Sequence, residues 1–214
     1  MKSTKYSEPL KTSAYYHLYN HAVGNENLFN ERDNYFYFLQ KYAEIIFPVC
    51  RTYAYCLMPN HFHLLISVRP EDELNTIYKV SKNLIDLEQG FDYSKYVIQQ
   101  FSNFFNGYAK AFNKKYERKG SLFIDYLRRK QINDNAYFIR LVQYIHANPV
   151  HHGFCDNMED WEFSSYQSIL SPKPSKLEKN EIIKMYGNAG DFINFHKSKQ
   201  SLWKPAEIDE LEFL

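Results

Sequence analysis

Met58-Pro59-Asn60-His61-Phe62-His63-Leu64-Leu65-Ile66-Ser67-Val68 is the stretch on which the reading of this chain turns. A Pro-Asn turn signal is followed by a run of apolar and β-branched residues, the signature of a buried strand. Side chains alternate between the two faces of a strand. His61 and His63 therefore share one face, and Phe62 and Leu64 share the other. Two imidazoles spaced about 7 Å along a strand can converge on one divalent ion if a third ligand arrives from elsewhere. Two ordinary polar residues on a half-exposed strand would give the same pattern, so a partner has to decide.

Upstream of this stretch, residues 49–57 predict a strand that pairs with it as a hairpin across Pro59-Asn60. Residues 14–23 (Ala-Tyr-Tyr-His-Leu-Tyr-Asn-His-Ala-Val) form a first strand that ends at Gly24-Asn25. Between them, residues 30–47 predict a helix capped by Asn30 or Asp33, with Phe36, Leu39, Ala43 and Ile46 on one stripe and Pro48 at its end. Downstream, Leu74, Ile77, Val80, Leu84 and Leu87 suggest an amphipathic helix over 70–90. Phe101, Phe104, Phe105, Tyr108, Ala109, Phe112 and Tyr116 repeat at helical spacing within 95–119, and Gly120 ends that helix. Residues 122–132 predict a fourth strand. Asn133-Asp134 then caps a helix over 135–147, with Phe138, Leu141, Val142 and Ile145 as its apolar stripe and Asn148-Pro149 as its stop. Trp161 and Phe163 pack the segment 160–166 back on the domain. The order β-α-β-β-α-β-α implies one antiparallel sheet with helices packed on a face, of the α+β class.

With 214 residues and 44% hydrophobic content, the chain suits one domain over 1–170 and an acidic tail with short helices over 171–214. Net charge is only +1, but its distribution is uneven. Residues 103–130 carry eight Lys/Arg against Glu117 and Asp125, a net of +6, whereas residues 155–214 carry a net of −4. A basic middle points to a focused anion site. Aromatics at 18% supply core, and also stacking surface for unpaired bases. Three cysteines without metal spacing, no signal peptide and no apolar run of membrane length lead to the expectation of a reduced, cytoplasmic protein.

The helix over 135–147 and the residue that follows it supply what the histidine pair lacks. Tyr144 and Asn148, at i and i+4, stand one above the other. The Asn148 carbonyl oxygen can act as a third ligand. Two imidazoles and one amide oxygen leave positions open and suit Mg²⁺ or Mn²⁺ at a phosphate site. Tyr144 lies off the apolar stripe, so its hydroxyl is a candidate nucleophile on a phosphate polarised by the ion. Tyr137 lies on the same line, and spacing alone does not choose between the two. Arg140, one turn before Tyr144, is a candidate phosphate contact. Lys110, Lys114, Lys115, Arg118, Arg128, Arg129 and Lys130 complete the candidate anion-binding set, which the resemblance below assigns to DNA.

Residues 58–65, Tyr144-Ile145-His146-Ala147-Asn148-Pro149-Val150-His151-His152-Gly153 and Trp161-Glu162-Phe163-Ser164-Ser165-Tyr166 together resemble the HUH single-tyrosine transposases, and among them the REP-associated tyrosine transposases. Tyr16-His17-Leu18-Tyr19-Asn20 and Gly120-Ser121-Leu122-Phe123 resemble them too, so the likeness spans roughly residues 14–170. It implies a ferredoxin-like or RRM-like antiparallel sheet, a divalent metal on His61, His63 and Asn148, and Tyr144 as nucleophile. The implied substrate is single-stranded DNA next to a REP-like hairpin, cleaved to leave a 5′-phosphotyrosine and a free 3′-hydroxyl in DNA transposition. A bacterial protein at the nucleoid, monomer or homodimer, is the implied setting. The chain departs from the family at residues 123–126, where relatives are more basic, and after Leu170. Two other readings remain open: a hairpin or single-strand binding protein that no longer cuts, and a zinc hydrolase, which lacks a nearby carboxylate.

Overall fold

A computed structural model describes residues 8–86, 89–124 and 127–198. Its centre is a four-stranded antiparallel sheet of β1 (Tyr15–His21), β2 (Cys50–Met58), β3 (His61–Val68) and β4 (Arg128–Ile132), in the order β2-β3-β1-β4. This is the antiparallel α+β sheet expected from the element order, in the ferredoxin-like arrangement that the resemblance implies. The β2–β3 hairpin turns at Pro59-Asn60. The carbonyl of Pro59 accepts from the N–H groups of Leu28 (2.7 Å) and Phe29 (3.0 Å), and that of Asn60 accepts from Ala22 (2.8 Å).

Helices cover both faces of the sheet, not one. On the first face, α1 (Arg32–Ile45) and α3 (Tyr93–Lys115) pack Phe38, Tyr42, Phe101, Phe104 and Tyr108 against Tyr16, Leu18, Phe62, Leu64 and Ile66. On the second, α4 (Asn135–His151) brings Phe138, Leu141, Val142, Tyr144 and Ile145 onto Tyr53, Ala54, Cys56 and Leu65. Every residue of β3 is buried as a result. That explains the near-continuous apolar run in its sequence.

The remaining helices are α2 (Glu71–Lys82), α5 (Tyr166–Leu170), α6 (Lys179–Tyr186) and α7 (Ala189–Lys197). The last two join the second core through Ile182 and Phe192. The outer edge of β2 is covered from the same side of the chain. Leu57 donates to Phe163 O (2.9 Å), Glu178 donates to Thr52 O (2.9 Å), and Trp161 Nε1 donates to Leu57 O (2.9 Å). Such cover shields main-chain groups that would otherwise template aggregation. Phe163 also stacks on Tyr35 at 3.8 Å, which seats the 160–166 segment as expected.

Four local expectations need correction. α1 buries Tyr35, Phe38 and Tyr42, while Phe36 is 49% exposed. The tyrosines, amphipathic by nature, win the core face because their rings have aromatic partners there. α2 stops at Lys82, where Asn83 adopts a left-handed conformation (φ 53°), leaving Leu84 and Ile85 exposed. Leu87 lies outside the described residues. α3 ends at Lys115, before Gly120, and the fourth strand begins only at Arg128. Ahead of it, Leu122–Ile124 pairs with His21–Val23 as a short extra ladder. Asp125 and Tyr126 of that predicted strand lie outside the described residues, as do residues 199–214 of the predicted acidic tail. Finally, Asn148-Pro149 does not stop α4, which runs on to His151. A proline in the last turn removes one helical N–H bond there. His152 and Phe154 restore contacts by donating to Asn148 O (3.0 Å) and Pro149 O (2.8 Å).

Candidate active site

β3 and α4 face one another across the second core, so the histidines and the tyrosine meet. The Tyr144 ring lies 5.6 Å from the His63 ring and 6.5 Å from that of His17, centroid to centroid and within one subunit. His61 and His63 are 5.3 Å apart with their rings nearly perpendicular. Asn148 sits one turn beyond Tyr144, 0% exposed, with its Nδ2 donating to Tyr144 O at 3.0 Å. Its side chain adjoins His61. Tyr137 is two helical turns from Tyr144, about 10 Å along the axis. Its ring carries the Lys130 ammonium at 5.0 Å.

Three candidate ligand atoms are buried without a hydrogen-bond partner: His61 Nε2, His63 Nε2 and Asn148 Oδ1. Buried polar atoms are normally satisfied, so such a group needs an explanation. The imidazoles also keep their lone pairs. Burial, reinforced by His152 and His21, pushes His61 down to about 3. Burial, reinforced by His17, His61 and His152, holds His63 well below the usual histidine range. Among the described residues no three His, Cys, Asp or Glu side chains are arranged to hold a metal ion. The Asn148 amide oxygen is the candidate third ligand.

Further histidines surround the pair, and residue spacing did not single them out as ligands or supports. His17 Nε2 is 3.0 Å from His63 Nδ1. His21 stacks parallel on His61 at 5.6 Å, and His152 meets it edge-on at 4.8 Å. The alternation of β1 carried the signal, since His17 and His21 share a face and pair with β3. Behind α4, His146 forms a buried chain to Ser165 Oγ (2.7 Å) and His196 Nε2 (2.9 Å), whose Nδ1 donates to Phe192 O (2.8 Å). That chain ties the helix of Tyr144 to α7.

The basic residues fall into two groups. Arg128 and Lys130 pair with Tyr19 and His17, so they point to the histidine face. Arg140 is exposed on α4. Lys110, Lys114, Lys115 and Arg118 belong to or follow α3, across the sheet. Lys115 pairs with Glu31 and Arg118 with Glu26. Arg129 points away from the histidines and is buried. Its guanidinium donates to Glu8 O (2.5 Å) and Leu127 O (3.3 Å). It also borders a cavity of about 540 Å³ lined by α3, residues 120–124 and Leu127, on the opposite face of the sheet from the histidines.

The chain is 29% identical over 145 residues, 64% of its own length and 72% of the relative's, to a Haemophilus influenzae protein named as a REP-associated tyrosine transposase. A REP-associated tyrosine transposase solved bound to a REP hairpin superposes with a TM-score of 0.53 at 16% identity, over 81% of this chain and 89% of that one. No family model matches the chain. No helix among the described residues is long and apolar enough to cross a membrane. The chain is thus similar in sequence to one protein named as a REP-associated tyrosine transposase and similar in fold to another.

Proposed function

We propose that this chain is a metal-dependent DNA strand transferase acting in transposition, on single-stranded DNA beside a hairpin, with Tyr144 as nucleophile. The observation that carries the reading is the trio of orphaned buried ligand atoms, His61 Nε2, His63 Nε2 and Asn148 Oδ1, beside the ring of a helix tyrosine. Two neutral imidazoles and an amide oxygen suit Mg²⁺ or Mn²⁺ with positions left for phosphate. When bound, the ion supplies Lewis-acid polarisation of the scissile phosphate and offsets its charge.

The protein's own part is nucleophile and placement. Tyr144 Oη attacks phosphorus. Its O–H bond breaks and an Oη–P bond forms. The P–O3′ bond breaks, and the hydrogen ends on the 3′ oxygen. One phosphodiester replaces another of similar energy, so the 3′-hydroxyl can reverse the step or join a new strand. Arg128, Lys130 and Arg140 hold neighbouring phosphates on the same face. The single-subunit contact of Tyr144 with His63 supports a site completed within one chain. Because Tyr144 is 0% exposed, catalysis requires its ring to move out to the phosphate. The likeness to a transposase solved on a REP hairpin supports a hairpin substrate.

Incubating the full chain with hairpin DNA that carries a single-stranded extension, in Mn²⁺, tests the reading. A covalent protein–DNA adduct forms and disappears in Tyr144→Phe. Hairpin binding with no adduct under any divalent ion would make the chain a binding protein that does not cut.

A further inference from the structure

Asn60 settles the tautomer of His61. Its Oδ1 lies 2.8 Å from His61 Nδ1. An amide oxygen only accepts, so Nδ1 carries the hydrogen and Nε2 keeps its lone pair for a ligand. His63 has a different neighbour at its Nδ1: another imidazole nitrogen, His17 Nε2, at 3.0 Å. The two rings stack at 5.1 Å with 21° between their planes, inside the buried layer. β1 fixes His17 there, since Tyr19 and His17 run antiparallel to His63 and Leu65.

One hydrogen must lie between the two facing nitrogens. Both rings are buried, which disfavours a charged imidazolium, so each carries a single hydrogen. Two arrangements follow. In the first, His63 Nδ1–H donates to His17 Nε2, so His63 Nε2 is a bare lone pair and His17 Nδ1 carries hydrogen. In the second, His17 Nε2–H donates to His63 Nδ1, so His63 Nε2 carries hydrogen and blocks the ligand position. His17 Nδ1 and His63 Nε2 are both buried without a partner. Each arrangement thus leaves one unsatisfied N–H, and hydrogen bonding inside the protein does not choose between them. A cation at His63 Nε2 does choose, because it accepts only the first.

We infer that His17 is a positioning residue which accepts the His63 Nδ1–H and so holds His63 Nε2 open toward a divalent cation. The inference rests on the ion site proposed above. It assigns His17 the part that Asn60 plays for His61. Support of this kind around metal-bound histidines is worth about 10–100-fold in affinity.

Isothermal titration of the full chain with Mn²⁺, without DNA, provides the test. His17→Phe keeps an aromatic ring in place but removes the acceptor, and weakens Mn²⁺ binding about 10–100-fold. His17→Gln carries its carbonyl oxygen near the place of Nε2 and restores most of the affinity that His17→Phe loses. His17→Asn, one carbon shorter, cannot reach and behaves like His17→Phe. Two-bond ¹H–¹⁵N spectra of the Mg²⁺-loaded protein place the hydrogens of both His17 and His63 on Nδ1. Equal affinity in His17→Phe, or an Nε2–H signal for His63 with the ion bound, overturns the role of His17 while leaving the ion site standing. A native chain that takes up no Mn²⁺ overturns the ion site, and the role of His17 with it.

Discussion

Replacing Asn148 by alanine separates a binding role for its amide oxygen from a structural one. Asn148 contributes one internal hydrogen bond, Nδ2 to Tyr144 O at 3.0 Å, and one buried oxygen without a partner. Losing the bond costs about 0.5–1.5 kcal/mol, and removing an unsatisfied polar atom returns a similar amount. The metal-free Asn148→Ala chain is therefore expected within about 1 kcal/mol of the native one. The difference appears on adding ion. At 100 times its Kd, Mn²⁺ stabilises the native fold by about 2.7 kcal/mol. That corresponds to roughly 5–11 °C in Tm for a chain of this size. If the lost ligand weakens binding about 10-fold, the same Mn²⁺ concentration gives about 1.4 kcal/mol, and at 100-fold about 0.4 kcal/mol. Thermal unfolding by circular dichroism, with and without Mn²⁺, measures both numbers. A native-size Mn²⁺ shift in Asn148→Ala would refute the ligand assignment. A collapse of the metal-free Tm would show that the oxygen serves packing instead.

Acid should unfold the protein through its buried histidines. His17 and His61 are pushed down to about 3 and His196 to about 4, so all stay neutral in the fold. Below the ordinary value of about 6.5 the unfolded chain takes up protons that the fold excludes. Stability is then lost from pH 6.5 downward at up to about 1.4 kcal/mol per pH unit for each such histidine. Urea unfolding at pH 7.5 and pH 5 measures it, and equal midpoints would be inconsistent with neutral buried rings. His196→Leu deprives His146 Nδ1 of its partner and should lower stability by about 1–3 kcal/mol; an unchanged Tm would show that the chain from α7 to α4 carries no weight. For a single strand without a hairpin, Lys130→Ala with Arg140→Ala should reduce the salt slope of binding by about 1.4, at about 0.7 per phosphate contact. Lys110→Ala with Lys114→Ala, across the sheet, should leave it alone, and the opposite ranking would put the strand on the α3 face.

The sheet was legible because its signals are local. Alternation in β3, the Pro59-Asn60 turn and the aromatic repeat of α3 each survive in the structure. The same periodicity placed His61 and His63 together, and i to i+4 spacing stacked Tyr144 with Asn148. Less legible was anything set by packing at a distance. Nothing in the spacing of α1 says that Tyr35 outranks Phe36 for the core; Phe29 and Phe163, brought from distant segments to stack on Tyr35 at 4.3 and 3.8 Å, decide it. Pro149 was read as a stop because its rule is local, yet the last turn needs few further N–H bonds. Tyr144 was expected at a cleft on its polar line, whereas residues 141–149 are buried all round, because α6 and α7 close over the helix. His17 and His196 act through partners 46 and 50 residues away, beyond any motif window.

The most direct measurement is the identity of the residue that carries DNA. A hairpin substrate nicked a few nucleotides 5′ of the scissile phosphate traps the adduct, because the short released fragment diffuses away with its 3′-hydroxyl. Digestion and mass spectrometry then locate the attached nucleotide. The account predicts a 5′-phosphate on Tyr144, formed only with Mg²⁺ or Mn²⁺ and lost in His63→Ala. Attachment at Tyr137 or elsewhere, or at Tyr144 with no divalent ion present, would contradict it.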